Sequence, residues 1–180
     1  MKPLFLAALL LAPSLACAQP APATPAPPCA DPEHGQFDFW VGSWVVRPTG
    51  ADKVVAHSLI EKLYGGCAIR ENWMPAVSPG GGSLSSYVPG QRTWKQAWVD
   101  SSGARAEFSG GWNGKAMVLT GPWPLPDGRP QLVRMTYTPG PDGSVRQAGE
   151  ASLDGGRTWT PSFDFTYRPA ATPAQSRPPS

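Results

Sequence analysis

Nine turn signals divide this chain at nearly regular intervals, and they constrain its fold more than any other feature. They are Pro48 to Gly50, Tyr64 to Gly66, Ser78 to Gly82, Pro89-Gly90, Ser101 to Gly103 and Trp112 to Gly114, then Pro122 to Pro130, Pro139 to Gly143 and Asp154 to Gly156. Between them lie short segments rich in Val, Trp, Tyr, Thr and Phe, such as "VRMTYT" and "FDFTY". No segment carries a long apolar repeat of 3.6 residues; a short helical turn near Pro32–Phe39 is the most helix the pattern allows. Nine turns imply about ten strands. Consecutive antiparallel strands joined by short links avoid exposed edges by closing on themselves, so the expected fold is an all-β, antiparallel, up-and-down β-barrel.

Both ends of the chain lie outside that pattern. Met1-Lys2, the apolar run Leu4 to Leu11 and Ala16-x-Ala18 read as a secretory signal peptide over 1–18. It is too short to span a membrane as an anchor, and no integral membrane segment is expected after cleavage. The chain is therefore expected in the periplasm or outside the cell. Lipidation at Cys17 would want Leu three positions earlier, where Ser14 stands. Residues 19–33 form a Pro/Ala tether, 34–168 the barrel domain and 169–180 a tail without core-forming residues. Export leaves Cys29 and Cys67 in an oxidising space, where they are expected to form a disulfide. The formal charge of +2 and the lack of any Lys/Arg run give nucleic acid no electrostatic footprint.

The pattern "FDFWVGSW", "GGCAIRENW", "WKQAWVD", "VRQAGEASLDGGRTW" and a closing Tyr167-Arg168 resembles a family of exported, calycin-like bacterial proteins of unknown function. Gly42-Ser43-Trp44 has the Gly-x-Trp form that opens the first strand of lipocalins and related barrels. The resemblance implies that Trp44 closes one barrel end under a basic side chain from the last strand, here Arg168. It implies a fold and no particular chemistry. The related nitrobindin-like barrels hold haem through a histidine on a late strand, whereas the two histidines here, His34 and His57, are both early. No cofactor is expected, and no metal, since these histidines and the paired cysteines do not make a ligand cluster.

"SLDGGRTW", Ser152 to Trp159, fits the Asp-box pattern of sialidase propellers. Those propellers repeat the box once per blade, and a domain of about 135 residues is too short to close one. The box is therefore read as a hairpin turn, with Asp154 and Ser152 bonding locally and Trp159 packing back. "GGGSLSS" at 80–86 is read as a flexible loop entering a strand, a lip over a barrel mouth rather than a nucleophile or phosphate site.

The remaining lead is polar residues in otherwise apolar strands. Alternation puts Ile69, Glu71 and Trp73 on one face, and Trp94, Gln96 and Trp98 on another. With Arg134 and Gln147, the residues Glu71, Trp73, Trp94, Gln96 and Trp98 make up the candidate ligand site for a small apolar or amphipathic molecule. Arg146 neighbours Gln147 and so must face the opposite side. An alternative reading is an isomerase or hydro-lyase with Glu71 or Glu150 as general acid/base. A third is an envelope structural protein whose barrel is filled by its own side chains.

Overall fold

The computed structural model describes residues 27–125 and 127–171. The expected signal peptide, Cys17, the first part of the Pro/Ala stretch and most of the tail lie outside the described residues. Ten strands follow one another: β1 (Gly42–Pro48), β2 (Ala56–Leu63), β3 (Ala68–Pro75), β4 (Gly81–Val88), β5 (Thr93–Asp100), β6 (Arg105–Trp112), β7 (Met117–Pro124), β8 (Pro130–Pro139), β9 (Val145–Ser152) and β10 (Thr160–Pro169). Each pairs antiparallel with its neighbour in sequence, and β1 also pairs with β10, so the sheet closes as an up-and-down barrel. The closing register sets Val45 opposite Arg168 and Val46 opposite Tyr167. Among the described residues no helix is long and apolar enough to cross a membrane.

All nine expected turns separate strands, with two local differences. In the stretch 80–86 the loop ends at Gly80 and the strand already takes in two of the three glycines: Gly81–Val88 is bonded on both sides, to β3 and β5. Its alternating Ser83 and Ser85 face inward and are buried, where other polar side chains engage their hydroxyls. Pro122 to Pro124 likewise extend β7.

The segment before β1 shuts one end of the barrel. Pro32–Gly35 and Asp38–Trp40 are short 3-10 turns, and Asp31 caps the first by accepting from the His34 N–H at 3.2 Å. Phe37 and Trp40 are fully buried, stacked at 4.9 Å, and meet Tyr137 at 5.0 and 4.8 Å between ring centres. The Trp44 indole N–H donates to the Trp40 carbonyl at 2.9 Å, tying β1 to this plug. Gly42 supports that contact: its φ is +153°, and a Cβ there would touch the Trp44 ring at 3.4 Å. Outside, Lys62 Nζ holds Asp38 at 2.6 Å, and the Cys29–Cys67 disulfide pins the arm to the β2–β3 turn.

The expected Trp44–Arg168 contact is replaced by another. Cross-strand partners share a face, and Arg168 pairs with outward Val45, so its guanidinium lies outside and meets Asp142 at 3.1 Å. Tyr167, one residue earlier and inward, supplies the ring against Trp44, edge-on at 6.2 Å.

The Asp box is the hairpin between β9 and β10. Ser152 Oγ donates to Asp154 Oδ1 at 2.8 Å and accepts the Gly156 N–H at 2.8 Å. Asp154 also accepts from the Thr158 N–H at 2.9 Å and the Thr158 hydroxyl at 2.7 Å. These bonds hold its carboxyl at about 2, the Thr158 hydroxyl contributing most. Trp159 closes the turn by donating to the Gly156 carbonyl at 3.0 Å, and Arg134 lies 4.1 Å over its ring. The side-chain oxygens of Ser152 and Asp154 bond only within their own turn.

Two outcomes follow. Replacing Cys29 and Cys67 by serine is expected to lower unfolding stability by about 2–4 kcal/mol in urea titration, because the bridge closes a loop of sequence separation 38. Asp154→Ala is expected to speed amide hydrogen exchange at Arg157 and Thr158 while leaving the rest of the barrel protected. The contribution of Asp154 is complete above the ordinary carboxylate range and is lost as pH falls through about 2.

Candidate functional site

Above the Phe37–Trp40 plug the barrel is not filled. A cavity of about 350 Å³ extends toward the opposite end, within the size range of small-molecule pockets. Its walls come from the inward face of seven strands, β3 and β5 to β10, and lining residues on one strand fall two positions apart except at Ser162 and Phe163, where the β9–β10 register shifts. Strand β3 contributes Glu71 and Trp73, β5 Gln96 and Trp98, and β8 Gln131, Val133, Met135 and Tyr137. Strand β10 contributes Phe163, Phe165 and Tyr167, and Gln147 comes from β9. Trp98, Trp123, Gln131, Ser162 and Phe163 lie toward the open end, because each falls on the half of its strand remote from the plug. Phe163 lies flat across Gly149, its cross-strand partner, where a Cβ would stand 2.2 Å from the ring. That glycine sets how far the aromatic wall recedes.

Polar groups concentrate deeper. Glu71 is only 6% exposed and accepts hydrogen bonds from Ser83 Oγ at 3.0 Å and Ser58 Oγ at 3.4 Å. Burial pushes its carboxyl up to about 7, the two serine hydroxyls only partly opposing this. Tyr167 donates to Gln147 Oε1 at 2.7 Å, and Gln147 Nε2 donates to the Tyr137 hydroxyl at 3.0 Å. Burial raises both phenols above their ordinary value, and the nearby Glu71 charge adds to the effect. Gln96 Nε2 donates to Ser85 Oγ at 3.0 Å. One ionisable carboxyl therefore faces the cavity among phenols and amides that are already oriented by one another.

Of the residues expected to bind ligand, Glu71, Trp73, Gln96, Trp98 and Gln147 line this cavity. Trp94 and Arg134 do not. Trp94 shares the inward face of β5 but sits at the plug end, where Phe37 meets it edge-on at 5.8 Å and Gln36 accepts its N–H at 3.3 Å. Arg134 alternates with inward Val133 and Met135 and so faces out, where it grips Glu150 Oε2 at 2.8 and 2.9 Å. That pairing also removes Glu150 as a luminal acid: the two residues are register partners on the outer face, each about one-third exposed. Arg146 is outside as well, bonded to Asp164.

The sequence reading missed Tyr137, Tyr167, Phe163 and Phe165, and the serines that cradle Glu71. The signal was present in "FDFTY", where Phe163, Phe165 and Tyr167 alternate, but parity alone does not say which face is inward. Serines carry no apolar pattern at all. Among the described residues no group of three or more His, Cys, Asp or Glu is placed to hold a metal ion.

Glu71 makes stability depend on pH. Between its ordinary value of 4.5 and about 7, the folded chain keeps a proton that the unfolded chain has released. Stability is therefore highest below that window, declines as pH rises through it, and levels off above about 7. Glu71→Gln is expected to flatten this slope and to stabilise the protein at pH 8 by roughly 2–3 kcal/mol, measured by urea unfolding at several pH values.

Compared with protein-family models and with curated proteins, the chain matches no family model and no curated protein.

Proposed function

We propose that this protein is an extracytoplasmic, calycin-like barrel that binds a small amphipathic molecule in its lumen. The cavity carries the proposal: a space of about 350 Å³ whose outer part is aromatic and whose inner part holds a small set of oriented polar groups. A ligand lying along the barrel axis would place its apolar body against Trp98 and Phe163 and its polar end beside Glu71, Gln147 and Tyr167. Pockets of this composition gain affinity from the apolar walls and orientation from the few polar atoms. The Cys29–Cys67 disulfide supports a compartment outside the cytoplasm. The next-neighbour strand order, and Gly42-Ser43-Trp44 at the plugged end, support the calycin-like kinship.

A second reading rests on Glu71. A carboxyl near pH 7, facing a cavity, suits general acid/base catalysis in an isomerase or hydro-lyase.

Native mass spectrometry of the protein purified from its own cells is expected to show a non-covalent adduct that disappears on denaturation. Val133→Phe, which adds volume into the lumen, is expected to weaken binding of that molecule at least tenfold, read by tryptophan fluorescence. No adduct, together with no fluorescence response to a panel of amphipathic molecules, overturns the binding reading. Recovery of the ligand chemically altered after incubation with the protein, but unaltered with Glu71→Gln, would favour the second.

A further inference from the structure

We propose that the luminal ligand carries a single positive charge, an organic ammonium group, which sits against the Glu71 carboxylate. The proposal rests on the binding reading above and adds the charge of the ligand's polar end.

The charge inventory of the barrel is one-sided. Among the described residues lining the cavity there is a single carboxyl, Glu71, and no Lys, Arg or His, and the two phenols, Tyr137 and Tyr167, are held neutral by burial. Four arginines of the barrel strands are engaged outside it: Arg134 on Glu150, Arg146 on Asp164, Arg70 on Glu61 and Arg168 on Asp142. The groups facing Glu71 are all neutral. They are Ser58 from β2, Ser83 from β4, Gln96 from β5, and the phenols of Tyr137 from β8 and Tyr167 from β10. The neighbouring charged residues on β2 and β3, Glu61 and Arg70, bond each other on the outer face.

An anionic ligand, such as a fatty acid, would bring a second negative charge to a site with no cation to receive it. A neutral alcohol would find hydrogen bonds but leave the carboxylate without a counter-charge above its titration range. An ammonium group answers both conditions, since it donates to the carboxylate and neutralises it. The walls favour the same chemistry. Trp73 stands two residues from Glu71 on the same face, with Phe165 at 5.8 Å and Tyr167 at 6.2 Å between ring centres. Aromatic faces grouped around a desolvated carboxylate attract a cation through their quadrupoles.

Three probes that share one apolar chain and differ in the head group test this: octylamine, 1-octanol and octanoate, titrated by tryptophan fluorescence and calorimetry. At pH 8 the amine is expected to bind at least tenfold tighter than the alcohol, and the carboxylate weakest. Between pH 8 and pH 5 amine affinity is expected to fall at least tenfold as Glu71 takes up its proton, while alcohol affinity stays level. In Glu71→Gln the amine should lose its advantage while 1-octanol still binds, which shows the lumen intact. Equal or tighter binding of 1-octanol or octanoate, or an amine preference kept in Glu71→Gln, overturns the cation proposal and leaves luminal binding standing. If none of the three binds, the cation reading falls, and the luminal-binding reading falls with it where the protein from its own cells also carries no adduct.

Discussion

The burial of Phe37 and Trp40 inside one end of the barrel is the contact on which the rest depends. A closed sheet of ten strands is open at both ends unless something fills it, and water would run through. Here a turn of the chain itself does so, its Phe37 and Trp40 rings packed against Tyr137 and tied to β1 by the Trp44–Trp40 hydrogen bond. With that end shut, the lumen becomes a blind cavity. Glu71, part-way down, then lies among buried side chains rather than beside solvent, and its raised proton affinity follows from that placement.

The barrel separates charge by face. Ion pairs populate the outer surface, several of them between register partners or close neighbours on adjacent strands, as Arg134 with Glu150. Such exposed pairs stabilise little, but they leave the inner face to aromatics, amides, hydroxyls and one acid. The period of two along each strand enforces the separation: where the ladder is regular, a residue and its neighbour face opposite sides. Arg146 and Gln147 illustrate it, the first outside on Asp164, the second bridging two phenols within.

Much of the architecture was legible from the turns. Gly, Pro, Asn and Asp mark places where the backbone must reverse, and their spacing sets strand length and number without reference to packing. The alternation in "IRENWM" and "TWKQAWVD" also identified which residues share a face. What alternation leaves open is depth. Trp94 and Trp98 share a face of β5, yet one packs under the plug and the other lines the cavity, since position along the barrel axis depends on register with every other strand. Arg168 failed as the partner of Trp44 for a related reason: the β1–β10 register, set by barrel closure, puts it one residue out of phase.

By itself the amino-acid sequence determined a single all-β unit of ten strands, its turns, and the local character of the Asp box, because these depend on residue preferences and periodicity over a few positions. Tertiary structure alone decided which face turned inward, that Glu150 and Arg134 satisfy each other outside, and that Glu71 is held by serines from two neighbouring strands. Those outcomes are set by contacts between residues more than ten positions apart in the chain, and pairing at that range follows from how the sheet closes rather than from any local pattern.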